Sequence, residues 1–266
     1  MTEDTRDTNV SRRGAMLGMA AAGGAAMMAG APARAASTDE ERLKGGARAI
    51  PELAPHWQGL DLREILSRPA AYMSVSQVKS LYEPWGVQAA ERHWERGSLP
   101  ATVRVAEAAR AAGNFVSFNW IGYPVYRPDH PKNDFDAAQY ASWTAAATQT
   151  PEQAAADNDL ADELRVLVQP GDNEFSEVAL QSAWFGTPLP LELTRKRVQT
   201  IVLTGIHLDW CIEGNARIAR DNGYLPIVIG DACGCVRPDQ EAAAMDRINA
   251  FFAPVISSEE FVRLVS

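Results

Sequence analysis

Residues 200–233, "TIVLTGIHLDWCIEGNARIARDNGYLPIVIGDAC", restrict the fold more than any other stretch of the chain. A β-branched run closes on Gly205, and a helical pattern from Cys211 to Asn222 closes on Gly223. A second apolar run then ends at Asp231. A strand, a helix and a strand in so few residues read as one right-handed parallel crossover.

The same alternation continues on both sides of this unit. "AYMSVS", "NFVSFNWIGY", "EFSEVAL" and "PVIS" read as strands. "PATVRVAEAARAAG", "PLELTRKRV", "PDQEAAAMDRINAFFA" and "SEEFVRLV" read as helices. The expected fold is α/β, a mostly parallel sheet with helices on both faces. In such sheets ligands bind beyond the carboxyl ends of the strands, at the point where strand order reverses. Cys211 falls there, just past the end of its strand. Asp209 is the expected N-cap of the helix that follows. The first turn of a helix has free N–H groups and a positive dipole end, which favour a thiolate and can also hold an oxyanion. The alternative for Cys211 is a small packing residue between strand and helix.

The chain has 266 residues, 46% of them hydrophobic, enough for one sizeable core. Its formal net charge of −9 and its pI near 5.0 argue against nucleic acid and anionic membranes as partners. A small-molecule partner is expected.

"SRRGAMLGMAAAGGAAMMAGAPARAAS" joins Arg12 and Arg13 to an Ala- and Gly-rich run and an A-x-A site at residues 33–35. It resembles a twin-arginine export signal, although Ala15 stands where such signals usually carry Phe. The run is too short and too weakly apolar to span or anchor in a membrane. The expected organisation is an export signal over 1–36, an irregular lead-in over 37–70 with a short helix at "DLREILS", and the main domain over 71–266. The expected location is periplasmic or secreted. In an oxidising compartment the three cysteines matter. Cys233 and Cys235 form a Cys-Gly-Cys step, open to a close disulfide or two free thiols, and Cys211 is the odd one.

"LTGIHLDWCIEGNARIARDNGYLPIVIGDA" resembles the signature of the isochorismatase-like cysteine hydrolases. "VAEAARAAGNFVSF", "QSAWFGTPLPLEL" and "FFAPVISSEEFVRLV" extend the resemblance over roughly 71–266. It implies a Rossmann-like three-layer sandwich with six parallel strands, a homodimer or homotetramer, and cleavage of a C–N bond in an amide-like molecule. It also implies Cys211 as nucleophile, the N–H groups of His207 and Cys211 as oxyanion hole, and a cis Ile206–His207 bond.

The rest of the family's Cys, Asp, Lys triad does not transfer. Ser76 stands at the aspartate position, and Val178 or Glu177 at the lysine position. Serine is no general base at neutral pH. His207, four residues before Cys211, is either the substitute base or pocket wall. Glu177 or Glu174 is a candidate if its side chain points inward. Trp120, Trp184 and Trp210 are candidates for a pocket lining, with core packing as the alternative. Asp129, His130 and Pro131 resemble the family's metal-binding Asp-x-His-Pro without its intervening residue. They read as a proline-rich loop, and neither a metal nor another cofactor is expected. Two rival readings remain: a small-molecule binding protein on the same fold without catalysis, and a thiol or metal protein built on Cys211, Cys233 and Cys235.

Overall fold

The computed structural model describes residues 49–121, 134–144, 148–178 and 181–266. The proposed signal and the Asp129–His130–Pro131 sequence lie outside the described residues. The lead-in helix α1 (Leu62–Ser67) is the first helix among the described residues, capped by Asp61, whose carboxylate accepts from Glu64 N–H. The elements that follow are β1 (Ala70–Val75), α2 (Lys79–Tyr82) and two 3₁₀ turns (Ala89–Glu91 and His93–Glu95). Next come α3 (Ser98–Ala111), β2 (Phe115–Ile121), α4 (Asp134–Thr144), α5 (Pro151–Ala156) and α6 (Asp162–Arg165). Then follow β3 (Asn173–Val178), α7 (Leu189–Arg195), β4 (Thr200–Ile206), a π-helical turn (Leu208–Ile212) and α8 (Glu213–Asp221). The chain ends with β5 (Leu225–Gly234), α9 (Glu241–Phe251), β6 (Val255–Ile256) and α10 (Ser258–Val265).

Six parallel strands form one sheet in the order β3-β2-β1-β4-β5-β6. This is the doubly wound order, and it reverses between β1 and β4. Every residue of β1 and β4 is buried, as central strands covered on both faces must be. Side chains alternate between two cores. Tyr72, Val202 and Ile206 join α1, α3, α6 and α10 on one face. Met73, Val75, Ile201 and Leu203 join α7, α8 and α9 on the other. Leu62, Ile65 and Leu66 of the lead-in helix are part of the first core.

At the reversal point β1 and β4 come unusually close. Gly205 has φ +134°, and a Cβ placed on it would lie 2.0 Å from the Val75 carbonyl oxygen. Only glycine serves there, and it holds the end of β4 against the end of β1.

Three sequence expectations need correction. "QVKSLYEPWG" is not all loop, because α2 forms within it. The helical run after β4 starts at Leu208, earlier than expected, as a π turn. Its cap position is His207, without a side-chain capping bond, so Asp209 is not the N-cap. Asp209 lies inside the first turn instead, and its Oδ1 is buried with no hydrogen-bond partner.

Candidate active site

The turn that follows Gly205 carries both His207 and Cys211. The peptide bond Ile206–His207 is cis, as the resemblance implies. The His207 carbonyl accepts from Trp210 N–H at 3.2 Å and Ile212 N–H at 3.0 Å, which coils the turn tightly. Such π segments recur at functional sites. Asn215, one turn into α8, donates to the Cys211 carbonyl at 2.7 Å and to the Gln181 carbonyl at 3.1 Å. Its Oδ1 accepts from Ala183 N–H at 3.2 Å. The loop before α7 is thereby fastened to the cysteine turn. Cys211 and His207 are both buried, 2% and 4% exposed.

The third member of this cluster is Glu91, which sequence reasoning missed. It comes from the crossover between β1 and α3. Its Oε2 lies 2.7 Å from His207 Nε2 and 2.8 Å from His93 Nε2. A carboxylate can only accept, so both imidazoles present an N–H to it. His207 then has Nδ1 left, and Cys211 is near enough to act on its charge. The Trp210 ring stacks on His207, with centroids 5.9 Å apart and planes 21° apart.

The charges follow from these contacts. Burial works against a charged His207. The contact with Cys211, the hydrogen bond that His207 donates to Glu91 and the Glu91 charge outweigh it and raise its pKa to about 9. Burial also opposes ionisation of Glu91, but the two imidazole N–H donors bring it down to about 2. Burial dominates at His93 and lowers it to about 3, with the Arg96 charge acting in the same direction. The resting cluster at neutral pH is an ionised Glu91, a protonated His207 and a neutral His93. His93 donates through Nε2, so its Nδ1 is a bare acceptor, and that atom is buried without a partner.

Two anchors hold the crossover that carries Glu91. Asp157 Oδ1 accepts from Val87 N–H at 2.9 Å. Arg96 donates to the Cys235 carbonyl at 2.7 Å and the Glu91 carbonyl at 3.4 Å, and pairs with Glu241. Glu241 also accepts from Cys235 N–H at 3.2 Å. The crossover is thus stapled to the end of β5. His93 closes the contact, lying where a Cβ on Gly234 would meet its ring at 2.9 Å.

Glu91, His93 and His207 offer three donor atoms within 4.8 Å of one another, a set of the kind that binds zinc. Direct hydrogen bonds already satisfy those donors. His93 Nδ1 also lacks the outer acceptor that a metal-bound imidazole ordinarily has.

The other predicted site residues are placed differently. Ser76 follows β1 in a left-handed conformation, φ +51°, with its N–H on the Asn119 carbonyl. Its hydroxyl is buried and bonds to nothing, so no hydrogen bond joins it to Cys211 or His207. Glu177 is in β3, the edge strand; its side chain lies outside the described residues. Glu174 does not turn toward the site, because it pairs with Arg165 near the surface. Trp120 belongs to the core on the face of the sheet opposite α8, with Arg165 over its ring. Trp184 packs on Tyr224 and belongs to the same core cluster as Cys211. Trp210 is the tryptophan that stacks on the cluster, through His207. Cys233 and Cys235 are buried and not joined in a disulfide. Burial and then the neighbouring Asp209 carboxylate push the Cys235 thiol well above its ordinary range. A cavity of about 240 Å³, walled by Trp85, Gln88, Ser142 and Thr148 among others, opens beside Glu91.

Comparison with known proteins agrees with this frame. The isochorismatase domain pattern matches residues 77–260. An isochorismatase family protein of Escherichia coli O157:H7 is 35% identical over 80 residues, 30% of this chain and 43% of its own length. A ureidoacrylate amidohydrolase of Pseudomonas savastanoi pv. phaseolicola is 30% identical over 106 residues, 40% of this chain and 42% of its own length. The alignments therefore span less than half the length of these curated relatives. The crystal structure of a cysteine hydrolase from Pseudomonas syringae pv. phaseolicola superposes with a TM-score of 0.61. It is 19% identical and covers 82% of this chain and 98% of that one. With the domain pattern covering most of its length, the chain belongs to the isochorismatase family.

Proposed function

We propose that this chain is an exported cysteine hydrolase that cleaves the C–N bond of a small amide-like molecule, with Cys211 as nucleophile and His207 as its acid–base partner. One observation carries the reading. His207, held by the Glu91 carboxylate at 2.7 Å, shares one buried turn with Cys211 at the reversal point of the sheet. The amidohydrolase name of one relative supports the bond type.

The chemistry follows from the pair. The Cys211 thiolate attacks the carbonyl carbon, forming a C–S bond, while the π electrons move to oxygen. The N–H groups of His207 and Cys211 receive that oxyanion. The His207 imidazolium gives its proton to the departing nitrogen, and the C–N bond breaks. Water, deprotonated by His207, then attacks the thioester. The acid leaves, and the thiolate–imidazolium pair is restored. No metal enters these steps. The Trp210 ring on His207 limits water access and gives the site an apolar wall. Assembly as a homodimer or homotetramer belongs to the same reading. Among the described residues no helix is long and apolar enough to cross a membrane.

The test is a panel of simple amides and N-carbamoyl compounds, assayed for ammonia or amine release with wild type and Cys211→Ala. Turnover by wild type alone, with a thioester on the Cys211 peptide by mass spectrometry, supports the proposal. No turnover, with ligands still binding the folded chain, favours a binding protein. Thiol or metal function requires Cys233 and Cys235 to be needed. For export, replacing Arg12 and Arg13 by lysine strands the precursor in the cytoplasm; normal export of that variant refutes the twin-arginine route.

A further inference from the structure

We infer that Glu91, on the crossover between β1 and α3, positions His207, so that Cys211, His207 and Glu91 work as a triad in place of the family's Cys, Asp and Lys. The inference rests on the reading of Cys211 and His207 above. The two family positions are empty of function here: Ser76 has an unpartnered hydroxyl, and no lysine lies between Lys132 and Lys196. A buried Cys–His pair needs a third group to fix the imidazole and stabilise its proton. Glu91 meets that need geometrically. Its Oε2 accepts a hydrogen bond from His207 Nε2 at 2.7 Å, which fixes the ring and leaves the opposite nitrogen available to the thiol. The same oxygen accepts from His93 at 2.8 Å, so two donors fix the carboxylate. Arg96 and Asp157 secure the backbone on either side. A carboxylate with this much support has little freedom to leave the imidazole, so Glu91 is preorganised.

Glu91 acts through His207, and it is therefore a positioning residue. The experiment measures iodoacetamide alkylation of Cys211 against pH, by peptide mass spectrometry, in the folded full-length chain and its variants. Wild type alkylates readily at pH 6. Glu91→Gln, which keeps the shape and removes the charge, slows alkylation at pH 6 by roughly 10–100-fold. Glu91→Asp retains part of the rate. In a His207→Gln background, adding Glu91→Gln costs nothing further, because its partner is already gone. A purely structural role would slow both backgrounds alike. Circular dichroism confirms that each variant is folded. An inert Cys211 in wild type defeats the cysteine-hydrolase reading itself. A reactive Cys211 in wild type that is unchanged by Glu91→Gln overturns the role of Glu91 alone. Stoichiometric zinc in the purified wild type, lost in both Glu91→Gln and His93→Gln, also overturns it, since the donors would then belong to an ion.

Discussion

Arg96→Met cuts the staple between the Glu91 crossover and the end of β5. The Arg96 side chain is 1% exposed and that of Glu241 11%. Methionine fills much of the same space, so packing is largely kept and the charge is lost. Glu241 is left as a buried carboxylate with Cys235 N–H, at 3.2 Å, as a remaining donor. Removing one member of a buried ion pair costs about 3–5 kcal/mol, because the other charge stays out of water and unpaired. A domain of this size loses about 2–4 °C of Tm per kcal/mol. The expected fall is therefore roughly 6–20 °C, read by calorimetry at pH 7. The double variant Arg96→Met with Glu241→Leu removes both charges and should recover most of that loss. The single variant should also alkylate more slowly at Cys211, since Arg96 no longer holds the Glu91 carbonyl. A single variant melting within about 2 °C of wild type would refute the reasoning. So would a double variant no more stable than the single.

Gly205→Ala forces a Cβ against the Val75 carbonyl in a backbone conformation that L side chains rarely adopt; unfolding in urea should show a loss of roughly 2–5 kcal/mol. Cys233→Ala with Cys235→Ala should keep turnover, because neither buried thiol belongs to the proposed reaction; a folded but inactive double variant would count against Cys211 as sole nucleophile. The site cluster also sets a pH profile for stability. His207, raised from 6.5 to about 9, contributes stability that is full below pH 6.5 and lost as pH rises through 9. Glu91, lowered from 4.5 to about 2, contributes stability above pH 4.5 that is lost as pH falls through 2. His93, lowered from 6.5 to about 3, favours unfolding as pH falls below 6.5, since only the unfolded imidazole takes a proton there. The Tm should therefore drop between pH 6.5 and 3.5, and His93→Gln should flatten that arm; a wild-type Tm constant over this range would contradict the buried neutral His93.

The local signals in the chain settled the architecture and the place of Cys211 within it. β-branched runs, helical periodicity and closing glycines around 200–233 specify a parallel crossover, because strand and helix periods are written in neighbouring residues. Cys211 could be placed past the end of β4 for the same reason, and the Ser76 and Val178 departures were visible by position. Asp209 could not be placed correctly. Its spacing suits a cap, but the π turn begins at Leu208 and draws it into the first turn beside Cys235. For Trp120 and Trp184, nearness to strand ends and turns left pocket lining and core packing both open, and packing places them in the two cores. Glu91 and His93 gave no local sign, sitting in two short 3₁₀ turns without periodicity or motif. They meet His207, 116 residues from Glu91, because the β1–β4 pairing and the Arg96–Glu241 staple bring their backbones together. The sequence determined the fold and the position of Cys211 past the end of β4, since short-range pattern encodes both. Tertiary structure alone decided which carboxylate serves the histidine, because a hydrogen bond across that distance depends on how the whole sheet closes.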